Sequence, residues 1–112
     1  MSLSNEQWFF LQDVAKLINK ANELDIKLTG GELYRTKYQQ EKYMKDGKSK
    51  TMKSNHLRRL AIDFNFFIDG ELTYEHPRLQ ELGDYWENLN NYNRWGGNWT
   101  SFKDTPHFER HV

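Results

Sequence analysis

The stretch that decides the fold is SNHLRRLAIDFNFFIDG, which spans residues 54–70. Its second half, from Ala61 to Ile68, is rich in isoleucine and phenylalanine and predicts a buried β-strand. Asp69 and Gly70 follow and predict a tight hairpin turn, because this pair favours two consecutive residues with positive φ. Glu71–Thr73 are then expected to form a short returning strand.

A carboxylate lies near the beginning of the predicted strand. Asp63 is placed where water is scarce, and a buried carboxylate needs a partner, of which a metal is one of the few that suffice. His56 precedes Asp63 by seven positions, and a second acid and imidazole, Asp104 and His107, lie near the C-terminus. Two histidines and one aspartate form a ligand set that catalytic zinc uses, with the fourth position left for water.

These motifs resemble a known family. Ser54-x-His56 with Asp63 seven residues later, followed by Asp104-x-x-His107, is similar to the zinc peptidases of the D-alanyl-D-alanine carboxypeptidase and L-alanyl-D-glutamate endopeptidase type. WGGNW at residues 95–99 and DTPHFE at residues 104–109 resemble the phage endolysins of that group in particular. The resemblance covers residues 31–109. One departure is Arg59, because the family usually has glycine three residues after the first histidine; this departure concerns the local backbone turn.

The resemblance implies a role for each residue of the motifs. His56, Asp63 and His107 are expected to bind Zn²⁺, and Asp104 is expected to act as the general base and then the general acid. Arg35 matches the arginine that reaches the active site in the family, where it would hold a substrate carboxylate or carbonyl oxygen.

Each assignment has an alternative. Arg35 could be a surface arginine that pairs with Glu32 or Glu41, and Asp104 could instead cap the turn at Thr105 and Pro106. His76 and His111 fall in no motif, so neither is predicted to be a ligand.

Three further residues are predicted near the site. Ser54 is expected to form a hydrogen bond near the ligands and to orient them. Trp95 and Trp99 flank two glycines, and we expect them to pack in the fold and to make secondary contacts with the substrate groove. A serine nucleophile is not expected, because Ser54 has no triad-type base near it in sequence.

The fold class predicted from this order is α+β: two or three helices on a small, mostly antiparallel sheet, as in the hedgehog/DD-peptidase fold that the resemblance implies. The first helix is predicted to begin with a capping box at Ser4 and Gln7 and to end near Leu24. Its core face is predicted from residues at spacings of three and four, which are Trp8, Leu11, Ala15, Ile18 and Ala21. Phe9, Val14 and Leu17 are expected to widen this face.

The remaining elements follow from local signals. Thr36 is a candidate N-cap for a helix over residues 37–45, which Asp46-Gly47 would stop. Residues 47–53 are polar and predict a loop. Pro77 suits the first turn of a third helix that runs to about Asn90. Phe102 and Phe108 are expected in strands that flank the last motif.

The length and composition of the whole chain limit the class of protein to which it can belong. Residues 1–112 are expected to form a single zinc peptidase domain, without a separate cell-wall-binding domain and as a monomer. There is no cysteine, so any metal must be held by histidine and carboxylate. No run of about 18 apolar residues predicts a membrane span. No signal peptide is recognised, so we expect a cytoplasmic protein that a holin-like route releases to the cell wall.

The charge is unevenly distributed and leaves an alternative open. Residues 35–59 hold nine Lys/Arg against two Asp/Glu, a difference of +7, within a chain of zero net charge. This segment could be a solvated face, or it could bind an anionic wall polymer or a nucleic acid as a non-catalytic module. Our main reading is an L-alanyl-D-glutamate endopeptidase that acts on the peptidoglycan peptide stem, with no nucleic-acid partner. A D,D-carboxypeptidase or dipeptidase with the same zinc site is the second.

Overall fold

The computed structural model describes residues 2–49 and 54–112. Within these residues, three α-helices pack on a small antiparallel sheet, which confirms the predicted α+β class. In chain order the elements are α1 (Leu3–Glu23), β1 (Lys27–Gly30), α2 (Lys37–Lys45), a 3-10 helix (Asn55–Arg58), β2 (Ala61–Ile68), β3 (Glu71–Thr73), α3 (Arg78–Leu89), β4 (Asn93–Trp95), a second 3-10 turn (Gly96–Asn98) and β5 (His107–Arg110). Within the described residues, none of the helices is long and apolar enough to span a bilayer.

The long strand β2 organises the sheet. The strand order is β1-β2-β5-β4, with β3 also paired to β2, and every pairing is antiparallel. The first three residues of β2 pair with β5, and its last three pair with β3. Asp63 lies directly opposite His107 in this register, so the strand pairing itself brings two of the predicted ligands together.

Several local predictions are confirmed to the residue. β2 and β3 have the predicted bounds, and Asp69 and Gly70 between them have φ of 53° and 81°, as a hairpin turn of this type requires. Helix α2 spans the predicted residues, and the Thr36 side chain accepts a hydrogen bond from the Gln39 amide. Of the predicted loop at 47–53, residues 50–53 lie outside the described part of the chain.

The predicted core face of α1 is confirmed only in part. Its central stripe is wrong, because Trp8, Leu11, Ala15 and Ile18 are exposed and only Ala21 of that stripe is buried. Of the residues expected to widen it, Val14 and Leu17 are buried beside Phe10, whereas Phe9 is exposed. Both stripes have helical spacing, because α1 is apolar on more than one side.

The buried face of α1 also holds two acids, whose partners are remote in sequence. Glu6 accepts from Arg110 Nε at 2.6 Å, and Asp13 accepts from Asn93 Nδ2 at 3.1 Å. Buried acids need partners, and the sequence around α1 does not reveal these remote partners. A face that contains Glu6 and Asp13 is therefore not expected from the sequence pattern to be buried.

Two smaller corrections concern α1 and the last loop. Helix α1 begins two residues earlier than predicted, with Ser2 rather than Ser4 as the N-cap. Phe108 lies in β5 as predicted, whereas Phe102 lies in a bend with φ of 57° and is exposed.

Phe108 lies at the centre of the core. The rings of four aromatic residues surround it with centroid distances of 5.9–6.2 Å: Phe64, Phe66, Trp86 and Trp95. Helix α3 contributes Trp86, whose Nε1 donates to the carbonyls of Arg94 and Glu109 at 3.1 Å. This packing fixes β5 against the helices and thereby fixes His107 at the beginning of the strand.

The chain enters β2 through a residue in the left-handed conformation, Arg59, at the position where the resemblance leads us to expect glycine. Arg59 ends the first 3-10 helix with φ of 54° and ψ of 38°. Leu60 N donates to Asn55 O at 2.9 Å, and the Arg59 guanidinium lies 4.1 Å from the Tyr34 ring centroid. The departure at Arg59 therefore leaves the turn in place, with a side chain that packs on Tyr34.

Substitutions at Arg59 test this turn. Both Arg59→Ala and Arg59→Gly lose the contact with Tyr34, but only glycine adopts the left-handed region without steric cost. We expect Arg59→Gly to be more stable than Arg59→Ala by about 1 kcal/mol in urea denaturation. Equal stability of the two variants would mean that residue 59 does not adopt this conformation.

Candidate metal centre

Three predicted ligands come from three different elements. His56 lies on the first 3-10 helix, Asp63 on β2 and His107 at the start of β5. The Ser54 hydroxyl caps the 3-10 helix by accepting from His56 N at 3.2 Å, and Arg35 N donates to His56 O at 3.1 Å. The histidine backbone is therefore held from both sides.

The three side chains converge. Their ligand atoms lie within 4.8 Å of one another. His56 Nε2 lies 3.4 Å and His107 Nδ1 lies 3.3 Å from the same oxygen, Asp63 Oδ1. These separations are longer than good hydrogen bonds. They match the edge of a tetrahedron with metal–ligand bonds of about 2.0–2.2 Å, which is about 3.3–3.6 Å.

Two of these atoms have no hydrogen-bond partner. Among the described residues, His56 Nε2 and Asp63 Oδ1 are buried side-chain atoms without such a partner. Buried polar atoms are almost always satisfied, so an unsatisfied pair that points to one place requires a physical explanation. A divalent cation bound to both atoms provides it, and the nitrogen and oxygen donors suit zinc.

The electrostatics of the cluster favour positive charge. Burial opposes ionisation of Asp63, but the imidazoles of His107 and His56 outweigh it and lower its pKa well below the ordinary value. Burial likewise acts to lower the pKa of His107, but the neighbouring carboxylates of Asp63 and Glu109 raise it to about 9. The two carboxylates thus favour a positive charge beside them.

Arg35 lines a cleft beside the three predicted ligands, and several contacts hold its guanidinium in place. Its Nε donates to Glu32 Oε1, and its Nη1 donates to Gln40 Oε1 at 2.6 Å and to Ser54 Oγ at 3.4 Å. The guanidinium also stacks on Tyr43, 4.6 Å from the ring centroid. The ion pair with Glu32, which was the alternative to a functional role for Arg35, is present. Arg35 nevertheless lines the cleft, so the ion pair and a functional role are compatible.

This cleft, which both histidines of the cluster also line, has a volume of about 280 Å³. Its lining includes Arg35, Ser54, His56, Trp99, Asp104 and His107. The predicted residues Ser54, Arg35 and Asp104 therefore share one cavity with the two histidines. Trp99 is next to His107, with ring centroids 5.1 Å apart.

Trp95 is placed differently. It is buried in the core, stacks on Phe108 and donates from Nε1 to Thr105 O at 2.7 Å. It lines a neighbouring cleft of about 560 Å³ rather than the one with the histidines. Asp104 lines both clefts and is the residue they share.

Asp104 is positioned by a loop that packs on Gly96. Asp104 N donates to Gly96 O at 2.9 Å, and His107 N donates to Asp104 O at 3.1 Å. A β-carbon at Gly96 would lie 2.2 Å from Asp104 O, so no other residue fits without displacing the loop. Burial raises the pKa of the Asp104 carboxyl, although the nearby His107 acts in the opposite direction.

Gly96→Ala is expected to disturb both the fold and the candidate base. The overlap with Asp104 O should destabilise the protein by about 1–3 kcal/mol and should lower hydrolytic activity at temperatures where the variant is folded. Gly30→Ala is the matched control, because a β-carbon there meets no atom within 4 Å. Thermal unfolding and activity of both variants test this, and a Gly96→Ala variant as stable and active as Gly30→Ala would contradict the packing described.

Two residues that contact the predicted site residues have no role assigned to them from the sequence patterns. Gln40 is fully buried on α2 and bonds to Arg35, and Glu109 bonds to His107 Nε2 at 2.7 Å. Glu109 was visible as part of the last motif, and its spacing of two from His107 on a strand places both on one face. Gln40 gave no such signal, because a single glutamine on a polar helix has no distinguishing pattern.

Comparisons with known proteins identify the family of the chain. Residues 47–110, more than half of the chain, match the family model described as D-alanyl-D-alanine carboxypeptidase. The chain therefore belongs to this family of peptidases, which confirms the resemblance seen in the motifs. No curated protein matches the chain significantly.

The fold has a solved counterpart. The crystal structure of the Serratia marcescens L-Ala D-Glu endopeptidase ChiX is similar, with a TM-score of 0.70 over 88% of this chain and 78% of that one. The two sequences are 24% identical, so the likeness establishes a common fold.

Proposed function

We propose that this protein is a zinc-dependent endopeptidase that cleaves the peptide stem of bacterial peptidoglycan between L-alanine and D-glutamate. The observation that carries the proposal is the convergence of His56, Asp63 and His107. The two histidines line a cleft together with Arg35 and Asp104. Membership in a peptidase family supports hydrolysis of a peptide bond.

Zinc would be held by His56 Nε2, Asp63 Oδ1 and His107 Nδ1, the atoms that face one another. When bound, it would polarise the scissile carbonyl and make water available as a nucleophile at neutral pH. Three protein ligands leave the coordination position that a catalytic zinc needs.

Asp104 is proposed to move the proton. One carboxylate oxygen takes a proton from the attacking water, and the carboxylic acid then gives it to the leaving nitrogen as the C–N bond breaks. Burial raises the pKa of Asp104, which brings its proton affinity closer to what transfer in both directions requires. Asp63 would be committed to the metal as a ligand, so a second acid is needed for this step.

Arg35 is proposed to bind the substrate. Its guanidinium can donate to a stem carboxylate or to the carbonyl oxygen of the scissile bond. The bonds to Glu32 and Gln40 and the stacking on Tyr43 leave it little freedom, so its orientation is set before substrate arrives. Ser54 assists by bonding to both Arg35 and the His56 backbone.

The proposal extends to the biological setting. The motifs at residues 95–99 and 104–109 resemble those of phage endolysins, and this supports a monomeric lysis enzyme that a holin-like route releases to the wall.

The test is digestion of purified peptidoglycan by the zinc-loaded protein, followed by mass analysis of the new ends. The proposal predicts free L-alanine carboxyl ends and free D-glutamate amines. Release of terminal D-alanine would instead support the second candidate, a D,D-carboxypeptidase or dipeptidase, which the description of the matching family favours. Muropeptides that stay intact in the presence of zinc would contradict both candidates.

A further inference from the structure

Glu109 is buried beside the cluster and has no part in the proposed reaction. Its side chain is 5% exposed, and its Oε1 accepts from His107 Nε2 at 2.7 Å. Its other oxygen, Oε2, accepts two hydrogen bonds from Arg94, from Nε at 2.9 Å and from Nη2 at 2.6 Å. One carboxylate thus joins a predicted metal ligand to an arginine on the neighbouring strand.

The strand register produces this chain of contacts. His107 and Glu109 are two residues apart on β5, so both project from the same face. Arg94 on β4 lies directly opposite Glu109, and Asp63 on β2 lies directly opposite His107. Asp63, His107, Glu109 and Arg94 therefore form one row of contacts across three strands.

The two ring nitrogens of His107 have different partners in this row. Nε2 faces Glu109, whereas Nδ1 faces Asp63 Oδ1 at 3.3 Å. A ring that donates Nε2–H to Glu109 presents the lone pair of Nδ1 to the metal position. Outer partners of this kind fix the tautomer and the orientation of a ligating histidine.

We infer that Glu109, braced by Arg94, is the positioning residue that sets which nitrogen of His107 binds the metal. The inference rests on the proposed zinc site. His56 is oriented differently, because its Nδ1 contacts the backbone carbonyl of Leu33 at 3.0 Å and leaves Nε2 toward Asp63. The ring orientation of His107 thus depends on the Glu109 side chain, whereas that of His56 depends on the backbone carbonyl of Leu33. A substitution can remove the first of these contacts but not the second.

The experiment measures zinc affinity by competition with a chromophoric chelator. Glu109→Ala should weaken zinc binding by about a hundredfold, and Glu109→Gln by about tenfold, because the amide oxygen still accepts from Nε2–H without the charge. Arg94→Gln should weaken it less than Glu109→Gln does, but measurably. In the zinc-loaded wild type, the Nε2 proton of His107 should give an NMR signal protected from exchange, and Glu109→Ala should remove it.

Glu6→Gln is the matched control. Glu6 is also buried and is paired with Arg110, the neighbour of Glu109 on β5, but no hydrogen bond joins Glu6 to a histidine in the described structure. This variant should keep the wild-type zinc affinity. If it weakens zinc binding as much as Glu109→Gln does, the effect is a general loosening of β5 and the inference fails.

The outcomes separate this inference from the proposed function. Wild-type protein that takes up no zinc would overturn both. Wild-type protein that binds zinc, with Glu109→Gln and Arg94→Gln at unchanged affinity, would overturn the inference alone. Both of these variants keep a polar side chain, so they remain informative if Glu109→Ala does not fold.

Discussion

Replacing Asp104 with asparagine should reduce the turnover of peptidoglycan by about a hundred- to ten-thousandfold. The amide cannot accept a proton from water or return one to the leaving nitrogen, yet it has nearly the same size. Because Asp104 is not among the three converging ligands, zinc affinity should stay close to that of the wild type. Turnover is measured from released muropeptides, and zinc affinity is measured by chelator competition on the same preparation.

Asp46→Asn serves as the control for this change. Asp46 is an exposed acid at the end of α2 that does not line the cleft, and its replacement should leave both quantities unchanged. An Asp104→Asn variant that digests peptidoglycan at the wild-type rate would remove Asp104 from the mechanism. It would leave the metal centre itself untouched.

Replacing His56 with alanine should abolish both zinc retention and hydrolysis. The change removes one of three ligands and leaves Asp63 and His107, a pair that cannot provide the three protein ligands of a catalytic zinc site. We expect the wild type to lose activity on chelation and to regain it with added zinc, and His56→Ala to be inactive at any zinc concentration. Elemental analysis after dialysis gives the zinc content of each protein.

The comparison variant is His76→Ala. His76 Nδ1 accepts a hydrogen bond from Arg78 N at the start of α3, so its loss should cost stability of about 0.5–2 kcal/mol, as for a helix cap. It should not affect zinc content. Full activity of His56→Ala with zinc would show that hydrolysis does not depend on this site.

Local sequence signals predicted the elements whose ends are marked by particular residues. The Asp69-Gly70 pair fixed the hairpin, and Thr36 fixed the start of α2, because each residue satisfies a backbone requirement of its own. Helix α1 has no such marker for its buried face. This face includes Glu6 and Asp13, whose partners lie toward the other end of the chain.

For the candidate site, the ligand residues could be predicted from the sequence, but the residues that contact them could not. The motif spacing and the family resemblance named His56, Asp63 and His107, and the strand register now gives a physical reason for part of their convergence. Gln40 and Glu109 were not assigned, because their roles arise from contacts to Arg35 and His107 that exist only in the folded chain. The expectation for Trp95 was incomplete for the same reason, since its burial against Phe108 depends on the packing of the whole core.

The central claim is that two imidazoles and one carboxylate bind a single divalent ion. Diffraction from zinc-soaked crystals, recorded at the zinc absorption edge, tests it most directly. The account predicts one anomalous peak per chain, about 2.0–2.2 Å from His56 Nε2, Asp63 Oδ1 and His107 Nδ1. A map with no peak among these three atoms, or with the zinc bound elsewhere on the chain, would contradict it.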